Sequence, residues 1–369
     1  MRIRLRSTSM QLTALMRPGW AAVLAALCCA LSACDALEQV GRLLELPAPT
    51  SSAPASSPVA PRRTPQAAEL RKNGVVDGDT LRLVGFDESV RLLCLDTEEV
   101  LRGEELQRAQ ADWESYQRER KGQGRFTRSY GTFVGNQAKE WAREFFAGRD
   151  EVFVEYASEV HTRGFFGRHL GYVWVREPGG DWLNYNVEAV RAGWSPYATE
   201  YGRCDPYHEA FEEAQRQAQA AGRGIWKPGQ RGYDDYPQRF EEWAPRARQI
   251  GLFRERLADH PHVVELGTDD AMGRLRQRTG ERVVVFGAVD RYSPRGRPPK
   301  LYLSHRYREE LMIQAPGPVK FGDMKKGDFE KREFVYVEGE VAMFRGDPIV
   351  VLDELSFIRS GDDPPKLAR

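Results

Sequence analysis

Apolar and polar positions alternate in two short stretches early in the chain, Val75–Leu83 and Val90–Leu95. Leu81, Leu83, Leu93 and Leu95 would form one core-facing row. Gly85, Asp87 and Ser89 lie between the stretches and read as a turn, so the pair is expected to fold as a hairpin. Arg91 and Asp96 are five apart, and a straight strand would put them on opposite faces. The strand must therefore end or bulge before Asp96, leaving Thr97-Glu98-Glu99 as a turn. Helical spacing follows over Phe133–Phe146, with Phe133, Gln137, Trp141 and Phe145 nearly in one row. Strands are expected at 152–156 and 170–175, joined by a tight turn from Arg163 to Arg168. Helices follow at 183–192 and 207–221, the second stopped by Gly222 and Gly224.

A second set of strands reads at 283–289, 301–303, 311–313, 334–341 and 349–352, with Arg345-Gly346-Asp347-Pro348 turning between the last two. The pattern is mixed α+β: a small barrel of the OB type with three helices, then a second small OB-like barrel. Between the halves, residues 229–280 are charged, carry Pro245 and Pro261, and read as a connector.

The N-terminus has a different composition. Arg2, Arg4, Arg6 and Arg17 precede an apolar run from Trp20 to about Leu31, too short to span a bilayer and laid out like a signal peptide. It ends in Leu31-Ser32-Ala33-Cys34, which resembles a bacterial lipobox. Cys34 would then be lipidated and become the mature N-terminus; the plainer alternative is ordinary cleavage after Ala33. The stretch to residue 69 is rich in proline, serine and alanine, cannot bury a core, and reads as a tether. About twenty extended residues at ~3.1 Å each would reach some 60 Å. The expected division is a leader at 1–33, a tether at 34–69, a first domain at 70–228, the connector, a second domain at 281–359 and a tail at 360–369.

Charge narrows the function classes. The 369 residues carry 54 lysines and arginines against 54 acids, which counts against a nonspecific nucleic-acid coat held by basic excess. The six histidines show no zinc spacing, and there is no Cys-x-x-Cys, nucleotide loop or nucleophile elbow. Asp79 and Asp96 could instead meet across the hairpin beside Arg91 and Glu99. Carboxylates offer a hard cation oxygen ligands, and a fixed arginine offers a phosphate permanently charged planar donors. Asp77 either supports these acids from behind or caps the turn at Gly78.

These residues resemble the active-site signature of the staphylococcal nuclease family. His161–Arg168 is similar to the family's turn carrying its second catalytic arginine, Asn186–Gly193 to the helix-and-glycine segment after it, and Ala220–Trp226 to the end of the last helix. The likeness spans Leu70 to Pro228. It implies Ca²⁺ held by Asp79, Asp96 and the Thr97 carbonyl, with Glu99 positioning or deprotonating water and Arg91 and Arg168 neutralising the phosphate. The substrate would be DNA or RNA. The chain departs from the family at Glu98, where a proline is usual, and at Phe165 and Phe166, where a basic residue and a tyrosine are usual. Residues 100–130 are an added polar segment, expected to be a lid or a solvated excursion. Its Arg118, Arg120, Lys121, Arg125 and Arg128 are candidate phosphate contacts. Tyr197 or Tyr201 is a candidate for a base or phosphate contact.

The second barrel resembles nucleic-acid-binding OB modules more loosely: either Tyr292, Arg295, Arg297, Lys300 and Tyr302 stack bases and hold phosphates, or the barrel props the first domain or binds protein. After removal of the leader, Cys94 and Cys204 are the cysteines besides Cys34, and they either form a disulfide or remain as thiols. Two further readings remain: related domains have lost catalysis and serve as binding modules, and an envelope scaffold could bind protein or glycan. The reading taken forward is a Ca²⁺-dependent nuclease, exported and anchored to the membrane by lipid.

Overall fold

The computed structural model describes residues 59–124, 126–149, 151–293, 300–315, 333–354 and 357–367. Cys34, the leader and most of the tether lie outside the described residues, as do Arg125, Arg295 and Arg297. Strands run β1 (Gln66–Val75), β2 (Thr80–Leu83), β3 (Val90–Leu92), β4 (Glu99–Val100), β5 (Gly131–Thr132), β6 (Glu151–Glu155), β7 (His169–Arg176) and β8 (Trp182–Asn184). Helices α1 (Gly103–Ala111), α2 (Trp113–Lys121), α3 (Phe133–Phe146), α4 (Tyr185–Arg191) and α5 (His208–Ala220) lie among and after them.

Five of these strands close a barrel in the order β1-β2-β3-β7-β6, sealed by the parallel pairing of β3 with β7 and the antiparallel pairing of β1 with β6. The β2–β3 hairpin pairs Thr80 with Arg91 and Leu81 with Val90. The register buries Leu81, Leu83, Val90 and Leu92 in the core. Leu93 does not join them. β3 ends at Leu92, and Cys94 takes a left-handed backbone (φ 64°), so the chain turns before Asp96 and returns Leu95 to the core. α3 has the expected bounds, but its inner face is Val134, Ala138, Ala142 and Phe146. The row with Trp141 and Phe145 is only partly covered, because the small residues allow the closer approach. The second helix starts at Tyr185 rather than residue 183, since Trp182–Asn184 pairs with β7 first and Asn184 caps the helix through Val187 N.

Two segments depart from the sequence expectation. β1 begins inside the supposed tether: Gln66–Glu69 pair with β6, and the Arg62 and Arg63 amides donate to Glu155. The added segment after residue 100 is two packed helices rather than a solvated excursion. Leu101, Ala109, Tyr116 and Tyr130 form a small core with Tyr233 and Tyr236 from the connector. An apolar row hidden among arginines and glutamines is what the composition concealed. Arg120 pairs with Glu105 and Lys121 with Asp234, so these cations are engaged within the protein.

Past α5 come α6 (Tyr236–Arg256), β9 (Val263–Glu265) and α7 (Ala271–Gln277). The connector thus contains two helices and the short strand β9. Strands β10 (Arg282–Ser293), β11 (Lys300–Arg306), β12 (Glu309–Gln314), β13 (Phe334–Phe344) and β14 (Asp347–Val351) close a second barrel, with β15 (Ile358–Ser360) added on β13 and β9 on β10. The closing order, β10-β11-β12-β14-β13, repeats that of the first barrel, again with one parallel pairing, β12 with β14. Its interior is aliphatic: Val283, Val285, Leu301, Leu303, Leu311, Ile313, Val337 and Val350 are all buried.

Candidate active site

The site forms where the turn before β2 meets the loop after β3. Asp79 sits one residue ahead of β2 and is 1% exposed. A carboxylate so enclosed must be fully partnered. Its Oδ1 accepts from Thr80 Oγ1 at 3.0 Å and its Oδ2 from Thr97 N at 2.8 Å and Thr97 Oγ1 at 3.0 Å. Arg91 Nη1 forms an ion pair with Oδ1. The loop can approach this closely because residue 78 is glycine: a Cβ there would lie 2.7 Å from Thr97 Cγ2. Tyr185 OH donates to Gly78 O at 2.7 Å and fixes the turn from the core side.

Arg91 projects from β3 and spans two acids. Its Nη2 donates to Asp96 Oδ1 at 2.9 Å and to Leu95 O at 3.1 Å. Asp96 is held by its own amide, which donates to Ser195 Oγ at 2.9 Å. Burial alone would weaken the Arg91 proton, but Asp79, Asp96 and Asp77 outweigh it and raise the guanidinium above its ordinary value. Burial, and then the charge of Asp79, push Asp77 up to about 7. Burial raises Asp96 to about 6 against the pull of Arg91, although 34% of its side chain stays exposed at the mouth. Glu99 is exposed at the rim. The protein mass behind it and the charge of Asp79 raise its carboxyl, while Arg91, Arg168 and Arg102 lower it. The charge of Arg168 thus reaches Glu99, although Arg168 comes from the turn between β6 and β7. That turn is closed by Gly164 N donating to Arg168 O at 2.8 Å.

Among the described residues no set of three or more His, Cys, Asp or Glu side chains converges as a ready metal cage. The donor set nonetheless fits a hard cation. Two carboxylates lie on either side of one positive group, Arg91, and a third, Asp77, raised by burial and then by the charge of Asp79, adds to a local surplus of acids. A divalent ion would relieve that surplus.

Several residues that shape the site were not singled out in the sequence. Thr80, Ser195 and Tyr185 orient the acids and the turn. Glu98 stands where a proline was expected and is buried. Its Oε1 accepts from Tyr233 N and Tyr236 OH, each at 2.9 Å, and its Oε2 from Thr132 Oγ1 at 2.5 Å. Gly232 permits this contact, since a Cβ there would lie 2.7 Å from Glu98 Oε1. The connector thus locks the residue next to Glu99. Asp269 accepts from Thr162 N at 2.9 Å and Arg163 N at 3.3 Å, and Arg306 Nη2 binds it at 2.7 Å, so the second half of the chain clasps the Arg168 turn. No local signal in the sequence marks either contact, because both partners lie more than 100 residues away.

Other candidates are placed elsewhere. Tyr197 is buried, stacked on Phe211 at 5.0 Å, and belongs to the core. Tyr201 is exposed beside Arg246. Tyr302 stacks under Arg291 at 3.5 Å, and Lys300 lies over Phe344. Cys94 and Cys204 are joined, with Cα atoms 6.5 Å apart. His260 and His262 lie side by side near the surface, with ring centroids 5.9 Å apart.

Residues 91–228 match the family described as staphylococcal nuclease homologue. No curated protein matches the chain. The match begins at Arg91, in the middle of the hairpin that builds the site, and runs through the Arg168 turn to the end of the last barrel-packed helix. The chain therefore carries a domain of the staphylococcal nuclease family.

Proposed function

We propose that this protein is a Ca²⁺-dependent nuclease that hydrolyses phosphodiester bonds in DNA or RNA. The observation that carries the reading is the Arg91 guanidinium paired with both Asp79 and Asp96, with Glu99 feeling the charges of Asp79, Arg91 and Arg168. Asp79, Asp96 and the Thr97 carbonyl would hold the ion, which when bound adds positive charge beside the phosphate. Glu99, at the rim and with its carboxyl raised above its ordinary value by burial, takes a proton from the attacking water. Arg91 and Arg168 donate to the phosphate oxygens as their charge builds. Because Arg91 is held beforehand by Asp79 and Asp96, little reorganisation of it is needed at the moment of reaction. Arg102 and Lys139 line a shallow groove, together with Arg143 paired to Glu140, and would give a polyanion a further hold.

The same reading places the enzyme outside the cytoplasm. The leader and the Leu31–Cys34 motif support export and lipidation at Cys34, with the proline-rich stretch as a spacer from the membrane. Fatty-acid labelling should be lost in Cys34→Ala, and persistent labelling of that variant would refute the anchor. For the chemistry, the test is plasmid nicking and RNA cleavage by purified residues 59–369 with and without Ca²⁺. Cleavage that requires Ca²⁺ is expected. Absence of any cleavage in millimolar Ca²⁺ would leave a catalytically silent binding module as the better reading.

A further inference from the structure

Beside the Arg168 turn the protein exposes three aromatic rings from two different parts of the chain. Phe165 and Phe166, 41% and 63% exposed, form the tip of the turn between β6 and β7. Tyr307, 55% exposed, forms the tip of the β11–β12 hairpin of the second barrel. Ring centroids are 5.0 Å apart for Phe165–Phe166, 6.2 Å for Phe165–Tyr307 and 5.7 Å for Phe166–Tyr307. The two tips are joined through the backbone, Tyr307 N donating to Phe165 O at 2.8 Å.

Cations flank the rings. The Arg168 guanidinium lies 5.9 Å from the Phe166 ring centre, and the Arg308 guanidinium 5.1 Å from that of Tyr307. Arg308 also holds a left-handed backbone (φ 67°), a conformation that normally selects glycine. An arginine kept there at the cost of strain points to use of its side chain. Three large rings left in water are costly in themselves, and an exposed apolar cluster rimmed by charge is a mark of a binding surface.

We infer that Phe165, Phe166 and Tyr307, with Arg168 and Arg308 beside them, form a stacking platform for the unpaired bases of single-stranded nucleic acid. The occupant follows from the chemistry: flat apolar rings accept bases of any identity by stacking, and guanidinium groups accept the phosphates between them. A purely apolar partner would leave the arginines unused, and a duplex would offer no free base face. The platform adjoins a residue assigned to the reacting phosphate, so it would hold the nucleotides next to the scissile bond. This rests on the nuclease reading of the site. It also gives the second barrel a share in the substrate, through the Tyr307–Arg308 tip rather than through a barrel face.

The test is equilibrium binding of a 2-aminopurine-labelled single-stranded oligonucleotide, and of its duplex, to residues 59–369 without Ca²⁺. Tyr307→Ala keeps the backbone link to Phe165 and should weaken single-strand binding by about five- to a hundredfold. Tyr307→Trp should restore it, and duplex affinity should stay the same. Arg308→Ala should lower the salt slope of single-strand binding by about 0.7. Equal single-strand affinity in wild type and Tyr307→Ala, or equal loss for strand and duplex, would overturn the platform. The same oligonucleotide is then offered with Ca²⁺. Wild type that binds through Tyr307 yet fails to cut would sink the nuclease reading and leave the platform standing.

Discussion

The two barrels close in the same strand order but bury different things. The first, with its helices, encloses Asp79, Thr97, Glu98, Glu155, His169 and Asn186, each tied into hydrogen bonds, and several of its acids are pushed away from their ordinary range. The second has an aliphatic interior, and its charges meet in exposed pairs such as Arg282 with Glu338 and Arg291 with Glu310. Buried charge costs free energy that an aliphatic core does not, so a fold keeps it where its reactivity is used. One barrel therefore reads as the seat of chemistry, and the other as a support that reaches the chemistry only through its loops. One topology can do both jobs because the site is built on the ends and turns of the strands, not on the barrel itself.

The cysteines separate the two regions most sharply. The Cys94–Cys204 bond ties the loop after β3 to the chain ahead of α5, across 110 residues, and the sequence places no cysteine beyond Cys204. Reductant should destabilise the first barrel by at most roughly 4–5 kcal/mol, while the second keeps its stability. Hydrogen exchange followed strand by strand would show this. Equal loss of protection in β6 and β13 would mean that the barrels unfold as one unit.

A pair of substitutions sharpens the contrast. Arg168→Ala should lower kcat by on the order of 10²–10³ with little change in Tm, since it removes one preorganised donor from an exposed turn. Lysine should rescue poorly, because it lacks the planar fork. Leu303→Ala, in the core of the second barrel, should cost about 2–5 kcal/mol of stability and leave kcat near wild type below the melting range. A large kcat loss in Leu303→Ala would show that the second barrel does more than support.

The clasp at Asp269 tests where support ends. Asp269→Ala frees the amides of Thr162 and Arg163 and the guanidinium of Arg306. The turn that carries Arg168 would then wander, and misplacement on the order of an ångström should cost about ten- to a hundredfold in kcat. Tm should fall little, because these hydrogen bonds are exposed. Unchanged kcat would show that the turn holds its shape alone.

What the sequence revealed and what it hid follow the range of the contacts. The hairpin, the tight turn before β7, α3 and most strands of both barrels were legible from local alternation and turn residues, but β1, which begins within the expected tether, was not. The bend before Asp96 was legible too, because five residues of a straight strand cannot put Arg91 and Asp96 on one face. The packing of residues 100–130 was not. Its helices are held by Tyr233 and Tyr236, whose apolar contribution is invisible in a window dominated by charge. Nor was the identity of the inner face of α3. Phe and Trp attract attention in a helical pattern, yet here alanines face the barrel and let the helix sit closer. Glu98 registered as a departure from a family pattern, but its role depends on two tyrosines from beyond residue 230.

Glu98 supplies the smallest expected effect, and one with a definite sign. Burial raises its carboxyl above the ordinary 4.5, and the hydrogen bonds from Thr132, Tyr233 and Tyr236 offset this only in part. In the unfolded chain it titrates normally. Between the two values the folded protein binds the proton more tightly, so stability is greatest below about pH 4.5 and falls as pH rises through the folded value. The slope contributed by one such group is at most about 1.4 kcal/mol per pH unit. Asp77 and Asp96 are raised as well and contribute with the same sign, so the wild-type curve alone does not isolate Glu98. Glu98→Gln does. Its carbonyl can still accept from Tyr233 N and Tyr236 OH, and its amide can donate to Thr132 Oγ1, so the packing with the connector survives without a charge. The difference between the two denaturation curves, measured from pH 4 to pH 8, should widen in favour of the glutamine as pH rises and then level off. A flat difference would mean that Glu98 carries its charge in the folded protein at no cost, and that the first barrel's tolerance of buried acid extends beyond the site.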